Sequence, residues 1–207
     1  MALSASEVEK IKQAPAVEGV LPVVLKRWSV RSYANREVSL ADLAKIFEAA
    51  RWAASARNEQ PWRYIVGLRN TETYKKIFDS LFEFNRPWAV TAPVLVLGLM
   101  TTTFTPDGSK NSFNFYDLGA AGANIALQAT EMGMAVRTVA SFDRDAVRKA
   151  FGIPSEIEIG TVLVLGYPGE PGALPSQQLI DMESSPRTRK SLDELVFSEW
   201  NKPLKLA

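Results

Sequence analysis

The sequence predicts an α+β class in which helices cover a central sheet, and three observations carry that reading. Helical and strand periodicities are interspersed along the chain, and no internal repeat or low-complexity linker separates them. The apolar run Pro93–Met100 has the continuous character of a strand buried on both faces. At 207 residues, 46% hydrophobic and 23% charged, the chain is long enough to close a substantial core, so a single domain over 1–207 is expected.

The elements follow in order. A helix is expected near Ser6–Gln13, stopped by Pro15, and a second from about Leu21 to Trp28. Ser39 has the chemistry of an N-cap, with Asp42 three residues on and Leu40, Leu43, Ile46, Phe47 and Ala50 at helical spacing. Trp62–Leu68 reads as a strand bounded by Pro61 and Asn70. Thr71 caps a helix carrying Tyr74, Ile77, Phe78, Leu81 and Phe82 on one face. After the Pro93 strand come a polar loop, Thr101–Ser112, and a long Ala-rich helix from about Phe113 to Met132. Its small residues Gly119, Gly122 and Ala126 let another helix approach closely, inside the fold or across a dimer interface. Ala135–Ala140 and Glu158–Tyr167 are strands flanking a helix capped by Asp143. A polar stretch then leads to a short helix around Leu192–Phe197.

Composition removes whole classes of chemistry. The chain has no cysteine and no histidine, so disulfides, thiolate nucleophiles, His-based triads and Cys- or His-ligated metals are excluded. A net charge of +1 gives no field that would recruit nucleic acid or an anionic membrane. MALSASEVEKIKQAP carries charges and a proline and has no apolar run of signal-peptide length. The longest apolar run falls far short of the ~20 residues of a membrane span. A soluble cytoplasmic protein is the expectation. No Gly-rich turn follows the first strand, so neither a dinucleotide fingerprint nor a P-loop is present.

Four segments could carry chemistry. Lys26-Arg27-Trp28-Ser29-Val30-Arg31-Ser32-Tyr33 places two guanidinium forks and several hydroxyls where they suit an anion, though basic residues also favour helix ends. Ala53–Trp62 combines small residues with Ser55, Asn58 and Gln60, which suits a flat ligand and equally a plain connection. Asn85 presents an amide that could meet a donor–acceptor edge or serve a turn. Arg187-Thr188-Arg189-Lys190 is a second basic group, alone indistinguishable from a solvated charge run.

Together and in this order, these segments resemble the nitroreductase family of FMN flavoproteins. The matching elements are Arg27-x-Ser29-x-Arg31-x-Tyr33, Ala54-Ser55-x-x-Asn58-x-Gln60-Pro61-Trp62 and Asn85 before Ala92-Pro93. They continue through Glu131-Met132-Gly133-Met134 and Ala140-Ser141-Phe142-Asp143 to Arg187-x-Arg189, so the resemblance runs from about residue 20 to 197. It implies a central mixed sheet flanked by helices, in an intertwined homodimer with two FMN sites at the interface. Arg27, Trp28 (through its backbone) and Ser29, with Arg187 and Arg189, would hold the phosphate end. Arg31 would sit beside the N1–O2 edge and Asn85 at the pyrimidine edge. Ala54, Ser55, Ala56 and Asn58 would come from the partner, and the backbone of Ala140 and Ser141 would face N5.

The implied activity is hydride transfer from NADH or NADPH through the flavin to a nitroaromatic, quinone or activated alkene, by a ping-pong route. Alternatives within reach of the same site are a flavin storage or sensing protein, flavin breakdown or dehalogenation. No side chain need be catalytic, because the flavin carries the chemistry and Arg31 would stabilise its reduced form. Trp88 stands where some members have lysine, and Ala140 where some have glutamate, which leaves the acceptor open. Phe104, Phe113 and Phe115 are candidates for substrate contacts or for packing, and the tail beginning at Ser198, with Trp200, Leu204 and Leu206, for wrapping a partner.

Overall fold

The Val94–Thr101 segment is apolar at almost every position, and only a central strand can bury both of its faces. In a computed structural model describing residues 3–206, it does so. Residues 1, 2 and 207 of the expected domain lie outside the described residues. Strands β1 (Trp62–Leu68), β2 (Val94–Thr101), β3 (Ala135–Val139) and β4 (Ile157–Gly166) form a sheet of order β1-β2-β4-β3. All three pairings are antiparallel, where a mixed sheet was expected. The connection from β2 to β3 skips one position and keeps the strand direction, and β4 then inserts antiparallel between those two strands, so no parallel pair forms among the described residues.

The two faces of β2 seed two cores. Leu95, Leu97 and Leu99 join Trp28, Val30, Tyr33, Ile77 and Val164 on one side. Val94, Val96 and Met100 join Ile46, Trp62, Ile125 and Leu165 on the other. This period-two split is what strand geometry dictates. Helices α1 (Ala5–Lys12), α4 (Glu72–Ser80) and α7 (Arg144–Phe151) supply the first side, α3 (Leu40–Arg51) and α6 (Asn114–Glu131) the second.

The predicted caps form. Ser39, Thr71 and Asp143 accept from the N–H groups of Asp42, Tyr74 and Ala146. Ser39→Ala should therefore destabilise the fold by about 0.5–2 kcal/mol, read from the urea midpoint at unchanged m-value.

Elsewhere the sequence reading is corrected. The expected Leu21–Trp28 helix shrinks to α2 (Pro22–Lys26), because Arg27 turns to an extended ψ of 127°. Two helices were not anticipated, α5 (Arg86–Ala89) and α8 (Gln177–Ser184). The expected Leu192–Phe197 helix is one 3-10 turn over Leu192–Glu194, followed by a small hairpin of β5 (Phe197–Glu199) and β6 (Lys202–Pro203).

Candidate functional site

Where α2 ends, the chain becomes extended and its side chains alternate. Trp28, Val30 and Ser32 are buried, while Ser29 is exposed and Arg27 and Arg31 are half-buried. The Arg-x-Ser-x-Arg spacing thus places its polar members on one side of an extended segment, with the apolar ones anchoring it in the core. Tyr33 fixes the far end, its hydroxyl donating to the Val164 carbonyl at 2.9 Å.

Remote side chains hold this backbone. Arg187 donates through Nη1 to the Arg27 carbonyl at 2.6 Å, and through Nη2 to that of Leu25. Arg137 Nη1 donates to the Ser29 carbonyl at 3.0 Å, and its guanidinium lies 5.2 Å over the Trp88 ring. The Arg31 N–H donates to Glu183 Oε1 at 2.8 Å, and that of Ser32 to the same oxygen at 3.0 Å. The Arg31 guanidinium lies 3.8 Å from Glu183 Oε2.

Arg27, Arg187 and Arg189 form a cationic cluster. Burial, and then the Arg189 charge, push Arg27 below its ordinary pKa. Burial, then Arg189 and Arg27, do the same to Arg187. Among the described residues no carboxylate forms an ion pair with any of the three, and Arg187 Nε is buried without a hydrogen-bond partner. Like charges held together beside a buried unpaired donor suit an anion. Arg27 also borders an apolar cleft of about 450 Å³ whose walls are Gly119, Gly122 and Ala126 of α6 and Thr138 and Thr161 of the sheet.

A sequence model of the nitroreductase family matches residues 24–87 and 82–167. A protein of Archaeoglobus fulgidus, described provisionally as an NADH dehydrogenase/NAD(P)H nitroreductase, is 34% identical over 158 residues, 73% of this chain and 87% of its own. The chain belongs to the nitroreductase family. Its fold is also that of a crystal structure described as an oxidoreductase containing FMN, with a TM-score of 0.83 and 27% identity over 90% of this chain and 94% of that one. A nitroreductase family protein of Clostridium difficile matches with a TM-score of 0.66 and 28% identity, covering 86% and 96%.

Within this nitroreductase-family chain the predicted site residues fall into three groups. Arg27, Trp28, Ser29, Arg187 and Arg189 come together as described, with Arg31 beside them but turned toward Glu183. Asn85 and Ser141 form a second group: Asn85 is buried and donates through Nδ2 to the Ser141 carbonyl at 3.1 Å, leaving its Oδ1 free of that bond. Ala140 and Ser141 are exposed just beyond β3. Trp88, the residue in place of lysine, is buried, with the Arg137 guanidinium over its ring, and carries no charge.

Ala54, Ser55, Ala56 and Asn58 form the third group, and no hydrogen bond or ion pair among the described residues joins them to the cationic cluster. Their loop has a defined shape. Arg57, Asn58 and Gln60 all adopt left-handed backbone, with φ of 54°, 56° and 51°. Such conformations persist only where neighbours fix them. The Ala56 N–H donates to Asp117 of α6, the Gln60 N–H to Ser55 Oγ at 3.0 Å, and Glu59 accepts from Thr105. Of the candidate aromatics, Phe104 is buried beneath the Arg57 guanidinium, 4.4 Å from its ring, whereas Phe113 and Phe115 are exposed. Glu183 and Arg137 escaped sequence reasoning. Ser176 before Leu179 and Ile180, a cap before apolar residues, was the available signal for α8.

Proposed function

We propose that the chain is an FMN-dependent oxidoreductase that passes hydride from NADH or NADPH to a small oxidised acceptor, a nitroaromatic, quinone or activated alkene, in two ping-pong halves. The observation that carries the reading is the Arg27–Arg187–Arg189 cluster, cationic and, among the described residues, free of carboxylate partners and holding a buried unpaired Nε. These residues fit the FMN phosphate, which carries close to two negative charges. Bound there, FMN supplies the two-electron chemistry that no side chain of this histidine- and cysteine-free chain provides.

The protein's part is to bind and orient. Arg27, Arg187 and Arg189 neutralise the phosphate, the exposed Ser29 hydroxyl and the Trp28 backbone meet the adjoining chain, and Asn85 offers Oδ1 to the pyrimidine edge. Arg31, paired with Glu183, would lie on the N1–O2 side of the bound flavin and favour negative charge there. The exposed backbone at Ala140 and Ser141 would face N5 and the central ring.

In this reading a second copy supplies Ala54, Ser55, Ala56 and Asn58, and one domain spans 1–207 in a cytoplasmic homodimer. Among the described residues no helix is long and apolar enough to cross a membrane. Apolar residues remain for the partner: Phe113, Phe115 and Tyr116 at the start of α6, and Trp200, Leu204 and Leu206 on the tail, are all exposed. A Cβ added at Gly119 or Gly122 would meet nothing within 4 Å. In a lone chain, Gly122→Ala should raise helix stability by about 1 kcal/mol. If a second α6 packs there, the larger Gly122→Leu should instead shift sedimentation velocity from dimer toward monomer. Unchanged sedimentation would remove α6 from the interface.

The functional test is spectroscopic. Purified protein should be yellow, bleach anaerobically with NADH or NADPH, and recover colour with menadione or a nitroarene. Protein that takes up no FMN on reconstitution defeats the reading; bound FMN that neither nucleotide reduces turns it into storage or sensing.

A further inference from the structure

The segment that carries Arg27 and Ser29 has no regular strand partner, and a short stretch of distant chain holds it at both ends. From α8 onward, Glu183 accepts the N–H groups of Arg31 and Ser32, and Arg187 donates to the carbonyls of Arg27 and Leu25. The two side chains lie four residues apart with opposite charge, one taking amides and the other carbonyls. Arg137 pins the Ser29 carbonyl between them.

Glu183 is the unusual member. It is 1% exposed, and burial of a carboxylate is unfavourable unless charges and donors surround it. Here they do: two amides, the Arg31 guanidinium, and the buried Lys12, which donates through Nζ to the Met182 carbonyl at 3.2 Å and lies 5.0 Å over the Trp28 ring. Burial raises the Glu183 pKa, while the two amides, Arg31 and Lys12 oppose the rise. An apolar residue at this position would leave two amides of the motif without an acceptor, so the register of residues 27–32 depends on this oxygen pair.

We infer that Glu183 is a positioning residue for the cofactor: by holding the Arg31 and Ser32 amides it sets the register in which Arg27 and Ser29 reach the FMN phosphate, without touching FMN itself. The inference rests on the FMN reading above, and the phosphate is what separates it from ordinary packing. A residue that only supports the core affects all flavins alike. One that aims the phosphate ligands affects FMN more than riboflavin, which has the same ring and ribityl chain, and so the same need of Arg31, but no phosphate.

The experiment titrates apoprotein with FMN and with riboflavin, following quenching of flavin fluorescence, for the wild type, Glu183→Gln and Glu183→Asp. Wild type should prefer FMN strongly. In Glu183→Gln the FMN Kd should rise about tenfold or more, the scale of one charge-assisted hydrogen bond, and the riboflavin Kd by a clearly smaller factor, the part that Arg31 loses at the ring. Glu183→Asp keeps the charge, shortens its reach, and should show the same selective loss if the glutamine variant does not fold. An unchanged ratio of riboflavin to FMN Kd in whichever variant folds overturns the inference. Wild-type protein that binds FMN no better than riboflavin overturns the phosphate assignment first, and the inference with it.

Discussion

Replacing Arg187 with methionine is expected to weaken FMN binding by about 10- to 150-fold, the range that follows from losing a charged hydrogen bond of about 1.5–3 kcal/mol. Methionine fills much of the same space and removes the charge. Two contributions are lost together. The buried Nε, unpaired among the described residues, is no longer there for the phosphate, and the carbonyls of Leu25 and Arg27 lose their donors. Arg189, exposed and bonded to the neighbouring Thr188 carbonyl, should matter less: Arg189→Met should lower affinity by a smaller factor. Both are read from the same fluorescence titration, with the apoprotein melting temperature as a control for folding. An unchanged FMN Kd in both variants would mean that the cluster serves a different anion.

Gly169→Ala is expected to destabilise the fold by about 3 kcal/mol, the upper end for overpacking. An added Cβ would lie 2.6 Å from the Tyr33 carbonyl carbon, 2.7 Å from the Ala34 nitrogen and 2.8 Å from the Tyr33 oxygen. All three are backbone atoms, and they have nowhere to retreat. The Gly169 N–H donates to the Ser32 carbonyl at 2.7 Å, and the Ala34 N–H to that of Tyr167 at 2.9 Å. At about 2–4 °C of melting temperature per kcal/mol for a chain of this size, a calorimetric scan resolves the change easily. Because the strain falls beside Ser32, FMN affinity should fall as well. A variant that melts like the wild type would show that the two segments part without resistance.

How much of this was legible in the sequence depends on how local each determinant is. Ser39, Thr71 and Asp143 announced their helices because a cap bonds three residues away, within the span that a spacing argument sees. β2 was legible because continuous apolarity over eight residues leaves a central strand little competition. The expected helix through Trp28 failed for the opposite reason. Local propensity favoured continuing it, but the carbonyls and amides of residues 27–32 are taken by Arg187, Arg137 and Glu183, more than 100 residues away. Glu183 itself left no trace, since its partners are backbone amides that every residue possesses. The clustered arginines were legible as a recurrent pattern, Arg-x-Ser-x-Arg with Arg-x-Arg, and the structure adds that Arg27, Arg187 and Arg189 converge without carboxylate partners among the described residues. Arg31 shows the limit of that pattern: its backbone and its guanidinium both meet Glu183.

The bond between Arg187 and the Arg27 carbonyl spans 160 residues, which also sets an order of events in the cell. A ribosome adding about 5–20 residues per second needs on the order of ten seconds or more to travel from one to the other. Through that interval the Arg27 segment of the proposed cofactor site would already be made and its Arg187 partner would not. On the FMN reading, the emerging chain would not capture the cofactor at this site, and loading would begin only after most of the protein has been synthesised.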